Sequence, residues 1–315
     1  MTERMFNIIL ASVITFLLGC AVFFYVTEDK AKPVASQPEN VIDSTPPPST
    51  PTDNKDTSPP ASDENENQPK NEEPEGNNNN ENEEKSQNKN DKSKDMPEIV
   101  WGIDSASETS GDFYACVKDN FGDPGIIGRY LGDREDISKG LTSEQIEIIH
   151  GEGDFILPIY NHFNDATGYD NGVAHAKEAI KIASDLGILE GVALFADIEP
   201  DYPVDSEFIK GWFDTISESQ YKSGIYGVFD PEHALFEAYN AAVESNKSIL
   251  ENNYIWTAAP SVGITVESEA PEFKPAAPEG SLAWGWQYGL DADTCNIDTN
   301  LFKSELVNVL WGPKN

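Results

Sequence analysis

From residue 96 onward the chain alternates short apolar runs with stretches whose apolar residues recur at helical spacing. The apolar runs predict strands over residues 99–103, 125–130, 155–160, 192–198, 223–229, 254–258, 283–288 and 296–298. Helices are predicted between them at 144–151, with Thr142 or Ser143 as N-cap, and at 171–186, 205–219 and 232–245. A last helix is predicted at 301–310. In the second of these Val173, Ala176, Ala179, Ile180 and Ala183 share one face. Residues 262–280 lack that periodicity and are rich in Pro, Glu and Ala, so a loop is expected where a barrel would place its sixth helix. About eight strands alternating with helices over roughly 220 residues predict an α/β fold, a (βα)8 TIM-type barrel. No GxGxxG follows a strand, which disfavours a dinucleotide-binding sheet.

Upstream the pattern is different. Residues 27–95 carry Pro46-Pro47-Pro48, Asn77-Asn78-Asn79-Asn80 and repeated Glu, Asn and Lys without periodicity, the composition of a disordered linker. Such a coil spans on the order of 45–50 Å. Residues 6–26 are almost wholly apolar and long enough to cross a bilayer as a helix. An N-terminal membrane anchor is therefore expected at 1–26, a linker at 27–95 and a barrel at 96–315. A cleavable signal fits less well, because no clear small-x-small site follows the apolar run. Leu17-Leu18-Gly19-Cys20 resembles a lipobox, which would instead make Cys20 a lipid attachment point. Both leading options put the barrel outside a membrane, as the extracytoplasmic domain of a single-pass protein on the first and of a lipoprotein on the second.

Net charge is −35, of which by residue count roughly −26 falls after residue 95. So acidic a surface repels nucleic acid and anionic headgroups. It serves solubility or salt tolerance, or attracts a cationic glycan. Cys116 and Cys295 fall in the extracytoplasmic part, where either two buried thiols or a disulfide is compatible with the sequence.

The chemistry concentrates at strand ends. Leu194-Phe195-Ala196-Asp197-Ile198-Glu199-Pro200 runs a buried strand into two carboxylates one residue apart. Side chains two apart on a strand share a face, so Asp197 and Glu199 would both face the barrel mouth, where barrel enzymes place their sites. Neighbouring carboxylates resist joint ionisation, which leaves one able to donate a proton. The same pair would also suit a metal site or a solvated turn. Asp104 ends the first predicted strand and Asp298 the last, and in a closed barrel these adjoin. Each could instead cap a helix. Tyr130, Tyr160, Tyr226, Trp256, Trp286 and Tyr288 gather at the same strand ends, where rings could stack on sugar C–H faces or pack in the core. Gln287, Arg129 and His162 are polar partners for a ligand, with a structural role for His162 the simpler alternative.

Taken in order, these stretches resemble the glycoside-hydrolase-like domain family whose barrel is related to the family 25 muramidases. The similarity rests on Gly102-Ile103-Asp104, Gly140-Leu141-Thr142-Ser143-Glu144, Ile156-Leu157-Pro158-Ile159-Tyr160, Gly172-Val173-Ala174-His175-Ala176, Leu186-Gly187, Phe195-Ala196-Asp197-Ile198-Glu199, Gly224-Ile225-Tyr226, Trp286-Gln287-Tyr288 and Asp298. The resemblance implies Glu199 as general acid. It also implies that Asp197, Asp104 and Asp298 stabilise the developing cation or position the N-acetyl group or water. The implied substrate is a β-1,4 bond of peptidoglycan. Residues 105–110 and 262–280 depart from the muramidase pattern.

The leading expectation is an extracytoplasmic, membrane-attached hydrolase of cell-wall glycan, acting as a monomeric barrel without cofactor or bound metal. The alternative is a catalytically silent glycan-binding barrel. A metal-dependent phosphodiesterase with Asp197 and Glu199 as ligands is disfavoured, because no histidine-rich motif ends the first strand.

Overall fold

The structure is a computed structural model that describes residues 92–94 and 96–313. Among the described residues no helix is long and apolar enough to cross a membrane. The expected anchor and nearly all of the expected linker lie outside them. Lys92, at the linker's end, already packs on the barrel: its amide donates to Asn308 Oδ1 at 2.8 Å and its ammonium sits 5.8 Å from the centre of the Phe155 ring.

Eight strands close in chain order into one barrel: β1 (Ile99–Asp104), β2 (Ile126–Tyr130), β3 (Phe155–Tyr160), β4 (Ala193–Ile198), β5 (Lys222–Gly227), β6 (Asn253–Ala258), β7 (Leu282–Gly289) and β8 (Asp298–Lys303). Helices α1 (Gly111–Asn120), α2 (Ser143–Glu152), α3 (Tyr169–Asp185), α4 (Ser206–Ser217), α5 (Ala234–Ser245) and the short α6 (Ser248–Asn252) lie between strands. Ser110, Thr142 and Asp205 cap α1, α2 and α4, each accepting from the backbone amide three residues on. The 262–280 stretch forms a loop with a single 3-10 turn, Glu267–Glu269.

Three expectations are corrected at the closing strand. Strand β8 starts at Asp298, where the predicted strand ended, and only a 3-10 turn, Ser304–Val309, follows it in place of the helix predicted at 301–310. It also runs antiparallel to both β7 and β1, so the barrel departs from a complete (βα)8 pattern. The reason is connection length. Only residues 290–297 separate β7 from β8, enough for a hairpin but too few for the crossover a parallel pair needs.

Strand alternation divides the apolar residues into two clusters. Outward residues such as Ile103, Ile127, Leu194, Ile225 and Ile255 pack under the helices. Inward residues, among them Leu157, Phe195, Trp256 and Phe302, fill the barrel. Glycines on the inward face make room for those rings. A Cβ on Gly224 would meet Phe195 at 2.6 Å, and one on Gly285 would meet Trp256 at 2.9 Å. Each fully buried ring contributes roughly 1.5–3 kcal/mol through burial. The rings thus form a solid core beneath the mouth and leave its polar residues at one end.

Candidate active site

Three strands deliver carboxylates to one end of the barrel. Asp104 ends β1, Asp197 is next to last in β4 with Glu199 just beyond it, and Asp298 opens β8. Because β8 is reversed, its first residue lies where the parallel strands finish, and Asp298 is the Cα partner of Asp104. The four groups repel one another through space: Glu199 acts on Asp104 and Asp197, Asp104 on Asp197 and Asp298, and Asp298 on Glu199.

All four hold protons more tightly than free carboxyls. Burial pushes Asp104 up to about 6, although hydrogen bonds from Asn300 and Gln287 stabilise its charge and pull the other way. Asp298 is pushed up to about 8 by burial and then by Asp104, against a hydrogen bond from the Asp291 amide. Burial also raises Glu199, reinforced by Asp201 and Asp298. Asp197 is raised well above the ordinary carboxylate range, by burial first and by Glu199 and Asp104 next. One of its oxygens, Oδ1, is buried with no hydrogen-bond partner among the described residues.

A polar network fixes the floor of this mouth. Gln287 Nε2 donates to Asp104 Oδ2 at 3.0 Å and to Asp298 Oδ2 at 3.1 Å, while its Oε1 accepts from the Tyr226 hydroxyl at 2.6 Å. Asn300 Nδ2 donates to Asp104 Oδ2 at 2.7 Å and Asn300 Oδ1 accepts from Trp256 Nε1 at 2.8 Å. The β7–β8 hairpin adds the Asp291 amide, 2.7 Å from Asp298 Oδ1. That hairpin is held at its other end by a Cys116–Cys295 disulfide to α1, so of the two states open to these cysteines the bonded one is found. It is also held by the Ser105 hydroxyl, which donates to the Asn296 carbonyl at 2.6 Å.

The aromatic residues divide by face. Tyr130 and Tyr226 face the same end as the carboxylates, whose charges help burial raise both phenols. Trp256 points inward but is fully buried, as part of the core below. Tyr160, Trp286 and Tyr288 point the other way, into the layer between strands and helices, and are corrected from the expected ligand-facing set. The Tyr160 hydroxyl bonds His175 Nδ1 at 2.9 Å, Trp286 Nε1 donates to the Ala259 carbonyl, and the Tyr288 hydroxyl accepts from Trp101 Nε1. Alternation is the cause: Gln287 faces in, so its two neighbours face out. Arg129 is likewise turned outward and buried, where its guanidinium donates to the carbonyls of Ser105 and Lys139 and to Gln145 Oε1. His162 pairs with Glu178 at 3.0 Å.

Sequence reasoning missed Asn300 and Arg134. Asn300 lies two residues beyond Asp298 on one strand and therefore on the same face, a signal present once the strand is placed correctly. Arg134 comes from the loop after β2. Its Nη1 donates to the Asn161 carbonyl at 2.8 Å and to the Tyr202 hydroxyl at 3.0 Å, and its charge favours ionisation of Asp197 and Glu199. Among the described residues no group of three or more His, Cys, Asp or Glu side chains is arranged to hold a metal ion.

The family described as "Rv2525c-like, glycoside hydrolase-like domain" matches residues 123–284. The chain belongs to this family. An uncharacterized protein of B. stearothermophilus, solved by crystallography, shares 40% identity over 67% of this chain and 100% of its own, with a TM-score of 0.65. The Tat-secreted protein Rv2525c of Mycobacterium tuberculosis, solved with HEPES, is 16% identical over 67% of this chain and 98% of its own, with a TM-score of 0.46. A bacterial lysozyme from Streptomyces coelicolor is 18% identical over 66% of this chain and 97% of its own, with a TM-score of 0.44. No curated protein matches the chain. Within this Rv2525c-like family the matched segment runs from the loop before β2 into β7, so Asp197 and Glu199 fall inside it while Asp104 and Asp298 fall outside.

Proposed function

We propose that this barrel is an extracytoplasmic glycoside hydrolase of cell-wall polysaccharide, with Glu199 as its proton donor. The observation that carries the reading is the convergence of four proton-retaining carboxylates at one end of the barrel, beside Tyr130 and Tyr226. Glycoside hydrolysis breaks the bond between the anomeric carbon and the bridging oxygen. The departing oxygen takes a proton, water adds to the carbon, and a carboxylate stabilises the positive charge that develops between these events. Glu199 is only partly buried and its proton affinity is raised, which suits a donor that must touch the bridging oxygen. Asp104 and Asp197 are almost fully buried. Asp104, held by two side-chain amides, is the natural stabiliser of positive charge. Asp197 shares a hydrogen bond with Glu199 and orients it. Asp298, partly exposed and opposite Asp104, positions the water or an N-acetyl group.

The motif resemblance to family 25 muramidases specifies the bond further, as the β-1,4 linkage of peptidoglycan. The Cys116–Cys295 disulfide supports an oxidising location outside the cytoplasm, and the apolar run at 6–26 supports attachment to a membrane. The test uses the full chain. Wall material incubated with it releases new reducing ends, and Glu199→Gln abolishes the release. If neither protein releases sugar and both bind the polymer equally, the barrel is a silent glycan-binding module.

A further inference from the structure

Beside the mouth, a cavity of about 490 Å³ opens between the loops after β1 and β2 and the β7–β8 hairpin. It adjoins the carboxylates: Ser105, next to Asp104, is bonded to Asn296 of its lining, and Arg134, also of its lining, acts on Glu199. Four features of the lining occur together. Arg134 is held by a tight hairpin, its amide 2.9 Å from the Ser138 carbonyl and the Ser138 amide 3.0 Å from its own. Only Nη1 of its guanidinium is hydrogen-bonded among the described residues, and neither Nε nor Nη2 is a buried unpaired group, so both are open to solvent. Ile137 also lines the cavity with 54% of its surface exposed, an apolar side chain left without cover. Ser107 and Asn296 supply polar edges, joined to each other at 2.7 Å.

We infer that this cavity is a subsite for a sugar unit bearing a carboxylate, whose carboxylate docks on the free edge of Arg134 and whose ring lies against Ile137. A guanidinium with two parallel N–H groups free is matched to a carboxylate by geometry as well as charge. Lys139 in the lining adds a second positive charge. Glu108 and Asp136, exposed as Lys139 is, also line the cavity and match its two cations in number, so the docking rests on the paired N–H groups of Arg134 and not on net charge. The inference rests on the glycan reading of the neighbouring carboxylates and names which glycans the site prefers.

Binding is measured by calorimetry on the full chain carrying Glu199→Gln, so that turnover does not enter. The probes are peptide-free peptidoglycan strands, which carry lactyl-ether carboxylates, and a uronic acid oligosaccharide, each beside its carboxyl-reduced counterpart. At least one acidic probe binds ~10-fold tighter than its reduced form, which identifies the source of the carboxylate, and adding Arg134→Gln removes the difference. No preference in the parent, or a preference that survives in a folded Arg134→Gln protein, overturns the inference. Should Arg134→Gln fail to fold, Ile137→Glu at its exposed position answers the same question. It weakens the acidic probe more than the neutral one, and an equal effect on both overturns the inference. Absence of binding to every glycan overturns the glycan reading itself, an outcome distinct from binding without discrimination.

Discussion

Asp104 and Asp298 face each other as Cα partners across the antiparallel β1–β8 pair, and one side-chain amide, that of Gln287, donates to both carboxyls. Two acidic groups held this closely by a shared donor titrate as a unit, so a change at the donor is felt by both.

Replacing Gln287 with Leu removes a stabiliser of the charged form of Asp104, whose proton affinity therefore rises above the value of about 6 that it has now. The acidic limb of the pH–rate profile moves to higher pH, and the maximum rate falls by on the order of 10²-fold. An unmoved limb in a correctly folded variant would show that Gln287 does not tune the pair.

The raised carboxyls also set how stability changes with pH. Asp104 at about 6, Asp298 at about 8 and the buried Asp154 at about 7 bind protons more tightly folded than unfolded. Their contribution is fully present below the ordinary carboxylate range and is lost as pH rises through those values, the reverse of a salt-bridged Asp. Urea unfolding at pH 5 and pH 9 should give a protein less stable at the higher pH by a few kcal/mol on an order-of-magnitude basis. Stability that climbs over that interval contradicts the burial argument.

Opening the Cys116–Cys295 bond by paired Ser substitutions costs about 2–4 kcal/mol of stability, because it frees a loop of 179 residues of sequence separation. It costs activity as well, since Cys295 belongs to the hairpin whose Asp291 amide holds Asp298. Thermal melts and turnover measured on the same variant separate the two effects.

The facing of the aromatic residues predicts a contrast between two equally mild changes. Tyr160→Phe removes a bond to His175 in the helix layer and leaves glycan affinity unchanged. Tyr226→Phe removes the bond to Gln287 in the mouth and lowers turnover. Equal effects on turnover from the two would contradict the inward and outward assignment.

Much of the barrel is legible in the chain because its parallel strands are buried on both faces and read as plain apolar runs; β3 spans the predicted residues. Strand β8 is different. Its inward residues near the mouth are Asp298 and Asn300, polar for the sake of the site, so the apolar signal survives only at Leu301 and Phe302 and reads as the start of a helix. Strand direction leaves no local pattern at all and follows from the length of the connection. The carboxylates are legible because each stands at or just past the end of an apolar run, where a strand delivers its last side chains to the barrel mouth. Their partner Asn300 was hidden by the misplaced strand, and the outward turn of Tyr160, Trp286 and Tyr288 by reading proximity in sequence as proximity in space. Arg134 reaches the mouth from a loop, and no periodicity announces a loop residue's destination.

The reversal of β8 has a consequence for how the molecule can be held. The chain enters at Ile99 and leaves after Lys303, and these two residues are paired at the face opposite the carboxylates. Lys92 docks on that face too, against Phe155 at the start of β3. Both ports therefore open away from the mouth, and attaching the barrel to a bead or a surface close to Lys92 or to Pro313 should leave its approach to a polymer unobstructed.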